Sequence, residues 1–135
     1  MIAWKTQEFV SKKGRRIIID AATLKDAYDI LNNWIKSNDK PIAYSELMAK
    51  LKEKSHPKIY RGSIGHIIGH VSDQVSFITN PSIYPSSIVV HKGTCDTGDG
   101  FWALERGTLP PIKVLEDNRK AQLSKYQNDV FEKNW

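Results

Sequence analysis

The sequence predicts an α+β domain, on three observations. Apolar residues recur three or four apart over 23–37, the same spacing returns over 63–79, and β-branched runs sit beside turn-forming residues at 17–19 and 88–90. At 135 residues the chain is long enough to bury one core without staples, so a single domain over 1–135 is expected, with its central unit over 41–104.

Between Trp4 and Asp20 the basic turn Lys12-Lys13-Gly14-Arg15-Arg16 leads into Ile17-Ile18-Ile19, which reads as a short hairpin or an edge strand. From Thr23 to Ser37, Leu24, Ala27, Tyr28, Leu31, Trp34 and Ile35 form a helical stripe, and Thr23 with Asp26 has the capping-box spacing. Ser37-Asn38-Asp39-Lys40-Pro41 breaks the chain, because Asn, Asp and Pro favour turns. A second helix is expected from Ser45 as N-cap, with Glu46 at the positive end of its dipole and Leu47, Met48 and Leu51 on its apolar face, ending near residue 55.

A third helix is expected over Ser63 to about Thr79, carrying Ile64, Ile67, Ile68, Val71, Val75 and Ile78 on one stripe. Gly65 and Gly69 each cost about 1 kcal/mol against alanine there, which predicts a close neighbour or ligand beside them. Asn80-Pro81 supplies the stop. Ile83 to His91 reads as a strand, 94–100 as a turn and Phe101 to Leu104 as the partner strand. After Pro110-Pro111, Leu115, Leu123, Tyr126, Val130 and Phe131 predict a terminal helix that docks on the core, with Trp135 as an anchor.

Apolar residues at 40% and charged residues at 26% fit a globular chain and exclude a disordered one. No apolar run approaches the roughly 20 residues needed to cross a bilayer, and MIAWKTQEF lacks a signal-peptide core. The expectation is a cytoplasmic protein without a membrane partner. Cys95 is the only cysteine, so neither an internal disulfide nor a cysteine-rich zinc site can form. Twenty Lys and Arg against 15 Asp and Glu give a net charge of +5, which favours an anionic partner such as nucleic acid.

Helix, helix and hairpin over 45–104 is a winged-helix-like order, with an N-terminal strand and helix before it and a C-terminal helix after it. The residues along it strengthen that reading. PIAYSELMAKL, Tyr60-Arg61, Asn80-Pro81, and YPSSIVVHK followed by GDGFWAL occur in the order of proteins that repair O6-alkylguanine. The segment from Pro41 to Leu104 thus resembles an alkyltransferase-type winged-helix DNA-binding domain. By that resemblance Tyr44 would help rotate the target nucleotide, and Arg61 would fill the stack left by a flipped base.

Where the family's strand carries a reactive cysteine followed by histidine, this chain has Ser86 and Ser87. Serine lacks the thiolate chemistry, so the resemblance implies a cysteine-free, alkyltransferase-like binder. The segment from Arg61 to Asn80 is also longer than in the family and, from Arg61 to Lys92, holds no Lys or Arg in between.

The preferred reading is non-catalytic nucleic-acid binding, with duplex DNA favoured and no cofactor. Lys50, Lys52, Lys54 and Lys58 would hold phosphates, Tyr44 and Arg61 would act at the target nucleotide, Ser86 and Ser87 would line a base-sized pocket, and Trp102 would offer a stacking face. One alternative is a small metal-independent nuclease or effector toxin using His70, His91 and Lys92, with Thr94 nearby. Another is a protein-binding module such as an immunity or inhibitor protein. His66 and His70, four apart, could share a metal with Asp73 or His91, but no metal motif is present and none is assigned. The loop ThrCysAspThrGlyAspGlyPhe matches neither an EF-hand nor a Walker loop.

Overall fold

The computed structural model describes residues 2–10, 13–54, 56, 61–79, 83–93 and 119–132; of 61, 62 and 119–122 it describes the backbone alone. The described residues form an α+β arrangement. Its elements are β1 (Gln7–Val10), β2 (Arg16–Ile19), α1 (Ala21–Ser37), β3 (Ile42–Ala43), α2 (Tyr44–Glu53), α3 (Arg61–Ile78), a 3-10 turn (Pro85–Ile88), β4 (Val89–Val90) and α4 (Arg119–Glu132).

β1 and β2 form an antiparallel hairpin in register Phe9↔Ile17 and Glu8↔Ile18. Gly14 lies in the turn at φ 77°, a left-handed conformation that a side chain disfavours. Alternation along β2 buries Ile17 and Ile19 and leaves Ile18 63% exposed beside the Arg16–Glu8 ion pair. The basic turn is thus a hairpin connection.

α1 begins two residues before the expected cap. Asp20 is its N-cap, accepting from the Thr23 backbone N–H at 2.8 Å and from Thr23 Oγ1 at 2.6 Å. Both Asp20 and Thr23 suit the cap by residue type, and the one in extended backbone takes it. At the other end, Asn38 Nδ2 donates to the Trp34 carbonyl at 3.0 Å and satisfies an otherwise open helix end. α2 likewise starts one residue early, at Tyr44, so Ser45 is not its N-cap, and Ala43 gives no side-chain cap.

α1 packs on α2 and α3, and the 3-10 turn is held between α3 and α4. One cluster of buried apolar residues links Ile17, Leu24, Leu31, Leu47, Ile67, Val75, Ile88 and Val130. Each fully buried leucine there is worth about 1.5–3 kcal/mol of transfer free energy. α3 ends at Ile78, where Thr79 Oγ1 donates to the Val75 carbonyl at 2.8 Å and accepts from the Ile83 N–H at 2.9 Å. The expected Asn80-Pro81 stop lies outside the described residues.

The expected strand over 83–91 is the largest departure. Pro85 starts a 3-10 turn instead, closed by the Ser87 N–H to the Tyr84 carbonyl at 2.9 Å, and only Val89–Val90 remains extended. β4 pairs in parallel with β3, Ile42↔Val89 and Ala43↔Val90. The second strand of a wing, 101–104, lies outside the described residues. α4 docks through Leu123, Val130 and Phe131, and Tyr126 meets Tyr84 edge-on at 5.6 Å; Trp135 lies outside the described residues. No helix among the described residues is long and apolar enough to cross a membrane.

Candidate nucleic-acid interface

The cations of α2 gather where the helix ends. Lys50 and Lys52 fall in its last turn, Lys54 is its C-cap, and Lys52 and Lys54 are exposed. Cations there complement the negative end of the helix dipole, so local structure alone favours them. Beside them, α1 and α2 leave a groove of about 390 Å³ lined by Trp34, Asn33, Lys50 and Lys54, with Ile30, Ser37, Asn38 and Glu53 completing it.

Trp34 gives this groove its one aromatic surface. Its indole Nε1 donates to the Lys40 carbonyl at 2.7 Å, which fixes the ring by its edge, and Lys50 Nζ sits over the ring face 6.0 Å from the centroid. Lys36 and Lys40 are exposed nearby on the α1 end and the following bend. Glu53 and Asp39 offset part of this charge. A basic, aromatic-floored groove can hold a phosphate backbone and the face of a planar group.

The other predicted site residues are dispersed. Tyr44 and His91 stand together because the β3–β4 register ends one residue before each, and their rings lie 4.7 Å apart, tilted by 34°. Ser86 and Ser87 are buried, at 2% and 0% exposure, so they do not line an open base-sized pocket. Ser86 Oγ donates to Ser72 Oγ at 2.9 Å, and Gln127 Nε2 donates to the Ser87 carbonyl at 3.0 Å. Burial follows from the 3-10 turn, which points both serines between α3 and α4. Arg61 opens α3, but its side chain, like Lys58, Trp102 and Thr94, lies outside the described residues.

Past Gly62, the described side chains of α3 include no Lys or Arg. Gly65, Gly69, Asp73, Gln74 and Phe77 are exposed or half-buried along it. His66 stacks on Phe9 at 4.8 Å, and His70 meets Trp4 and Phe9 edge-on at 6.4 and 6.3 Å. Burial pushes the His70 pKa down, against the opposing pull of Asp73. These imidazoles therefore hold the N-terminal hairpin to α3. Among the described residues the expected close approach at Gly65 and Gly69 is not met, since a Cβ on either would meet none of them within 4 Å.

For the nuclease reading, His70 and His91 sit in separate ring clusters, the first with Trp4 and Phe9, the second with Tyr44. No group of three or more metal-binding side chains occurs among the described residues.

One polar cluster escaped sequence reasoning. His56 Nε2 lies 2.6 Å from Asp26 Oδ2, and its Nδ1 lies 3.1 Å from Thr23 Oγ1. Asp, His and Thr in a chain suggest nucleophilic catalysis. The geometry instead gives a clamp: Thr23 is buried, and its hydroxyl is already engaged with Asp20. The clamp ties the start of α1 to the segment after α2. Its partners lie some thirty positions apart, and no local pattern signals it.

No family model, no curated protein and no solved structure matches this chain.

Proposed function

We propose that this protein binds nucleic acid without altering it chemically, and that it does so through the basic groove between α1 and α2. The observation that carries this reading is the convergence of Lys50 and Lys54 with Trp34 in one groove, flanked by exposed Lys52, Lys36 and Lys40. The net charge of +5 supports the same class of partner. An alkyltransferase-like winged helix is the finer form of the proposal, and the α2–α3 order supports it. Duplex DNA is the partner such a helix pair takes, yet the described outer face of α3, which carries Asp73 and no Lys or Arg, moves the contact to α2.

The test is fluorescence anisotropy with labelled DNA over a series of salt concentrations. Three neutralised phosphates give a slope of log K on log salt of about −2 to −3. Lys50→Glu/Lys52→Glu/Lys54→Glu should weaken binding at least about tenfold and flatten that slope. Equal affinity of the wild type and this variant would sink the reading.

A protein-binding module is the second reading. Phe77, 75% exposed, and Ile78, 56% exposed, at the end of α3 favour it. One stoichiometric protein partner, with indifference to DNA and RNA, would support it over the first.

A further inference from the structure

We infer that the α1–α2 groove takes an unpaired nucleotide, its base stacked on Trp34 and its flanking phosphates held by Lys50 and Lys54; this rests on the nucleic-acid reading above. A groove that only tracked a phosphate backbone would need cations and nothing else. This one has an indole floor. The Lys40 carbonyl anchors the Trp34 edge through Nε1, and Lys50, which lines the same groove, sits over the ring face.

Lys50 Nζ lies over that face at 6.0 Å, which is a cation–π contact that an incoming base can replace. The displaced ammonium stays on a flexible stem within reach of the adjoining phosphate, so its charge is kept in the complex. At about 390 Å³ the groove falls within the roughly 300–1,000 Å³ of small-ligand sites. Asn33, which also lines it, offers both amide donor and acceptor, and Glu53 is an acceptor suited to the amino group of a base. A base paired within a duplex shows the groove only its edge. The stacking surface therefore selects a base that is out of a helix, in a single strand, a loop or a flipped position.

The full chain would be titrated against three labelled deoxyoligonucleotides of equal length. One is single-stranded deoxycytidine, one is the same strand with abasic tetrahydrofuran residues at its centre, and one is a duplex. The base-bearing single strand should bind about tenfold tighter than the abasic strand, and tighter than the duplex. Trp34→Leu should shrink the abasic discrimination to within about twofold while leaving the salt slope in place.

Equal binding of the base-bearing and abasic strands by the wild type would overturn the inference and leave phosphate binding standing. Retention of the discrimination by folded Trp34→Leu, checked by circular dichroism, would place stacking elsewhere and overturn it too. No binding to any of the three would remove the nucleic-acid reading itself. If Trp34→Leu does not fold, Trp34→Met, which keeps apolar bulk without a ring, takes its place, and the same loss of discrimination is expected.

Discussion

Replacing Asp20 should reveal how much of the fold hangs on the start of α1. Its carboxylate accepts from the Thr23 N–H at 2.8 Å and from the Thr23 hydroxyl at 2.6 Å. Loss of an N-cap acceptor costs about 0.5–2 kcal/mol. The second bond adds about 0.5–1.5 kcal/mol, because Thr23 is buried and its hydroxyl is left with His56 alone.

Asp20→Ala should therefore cost about 1–3.5 kcal/mol, read as a lower urea midpoint at unchanged m and as a fall in Tm of roughly 3–5 °C per kcal/mol. Asp20→Asn keeps an acceptor oxygen and should cost less than half as much. The acid limb gives an independent readout. The Thr23 hydroxyl first, and then the Thr23 N–H, hold the Asp20 pKa below its usual 3.8. The stabilisation is thus complete above that value and is lost as pH falls through the lower, folded one; Asp20→Asn should remove this limb. A cost below about 0.5 kcal/mol for Asp20→Ala, or equal costs for the two variants, would refute the capping account.

Gly65→Ala and Gly69→Ala each place a methyl in open space within a helix, so each should raise stability by about 0.5–1 kcal/mol. A loss in chemical denaturation would instead mean that something occupies that face. Ser86→Cys, made with Cys95→Ser, should resist a thiol reagent in the native protein and react only in denaturant, because position 86 is 2% exposed. Rapid native labelling would contradict the burial. Burial lowers the His70 pKa from its usual 6.5, so stability should be full above that value and decline as pH falls from there through the folded value. His70→Gln should flatten urea midpoints over that window, and an unchanged profile would show that the imidazole is not held in the hairpin cluster.

Periodicity made α1 and α3 legible. Leu24, Ala27 and Leu31 are buried as their spacing requires, and so are Ile64, Ile67, Ile68, Val71 and Val75. The hairpin could be read from its turn and its three isoleucines. Helix starts were less legible, because Asp20 and Thr23 both suit a cap by residue type, and at α2 the backbone turns helical after Ala43 although Ser45 is the better capping residue. The strand expected over 83–91 shrank to two residues, because Pro85 starts a 3-10 turn and β3 is itself only two residues long; that partner lies about 47 positions upstream, and a local apolar run carries no trace of it. For the candidate site, the lysines of α2 were visible as a local cluster. Trp34 read as one more residue of an apolar stripe, and its place beneath Lys50 depends on how α1 crosses α2. The His56 clamp is non-local in the same way.

The β3–β4 pairing also sets a timetable. During synthesis Ile42 and Ala43 emerge well before Val89 and Val90, the residues that complete their ladder. Closing a loop of that length costs roughly 3–4 kcal/mol of chain entropy, more than two residue pairs return, so the β3–β4 ladder can form only as Ile42, Ile88 and Val89 enter the core together. Until then α1 and the hairpin can form from local contacts, while an unpaired strand edge waits at residue 42. That interval is when the nascent chain is most exposed to pairing with another chain, and the brevity of β3, two residues long, limits the hazard.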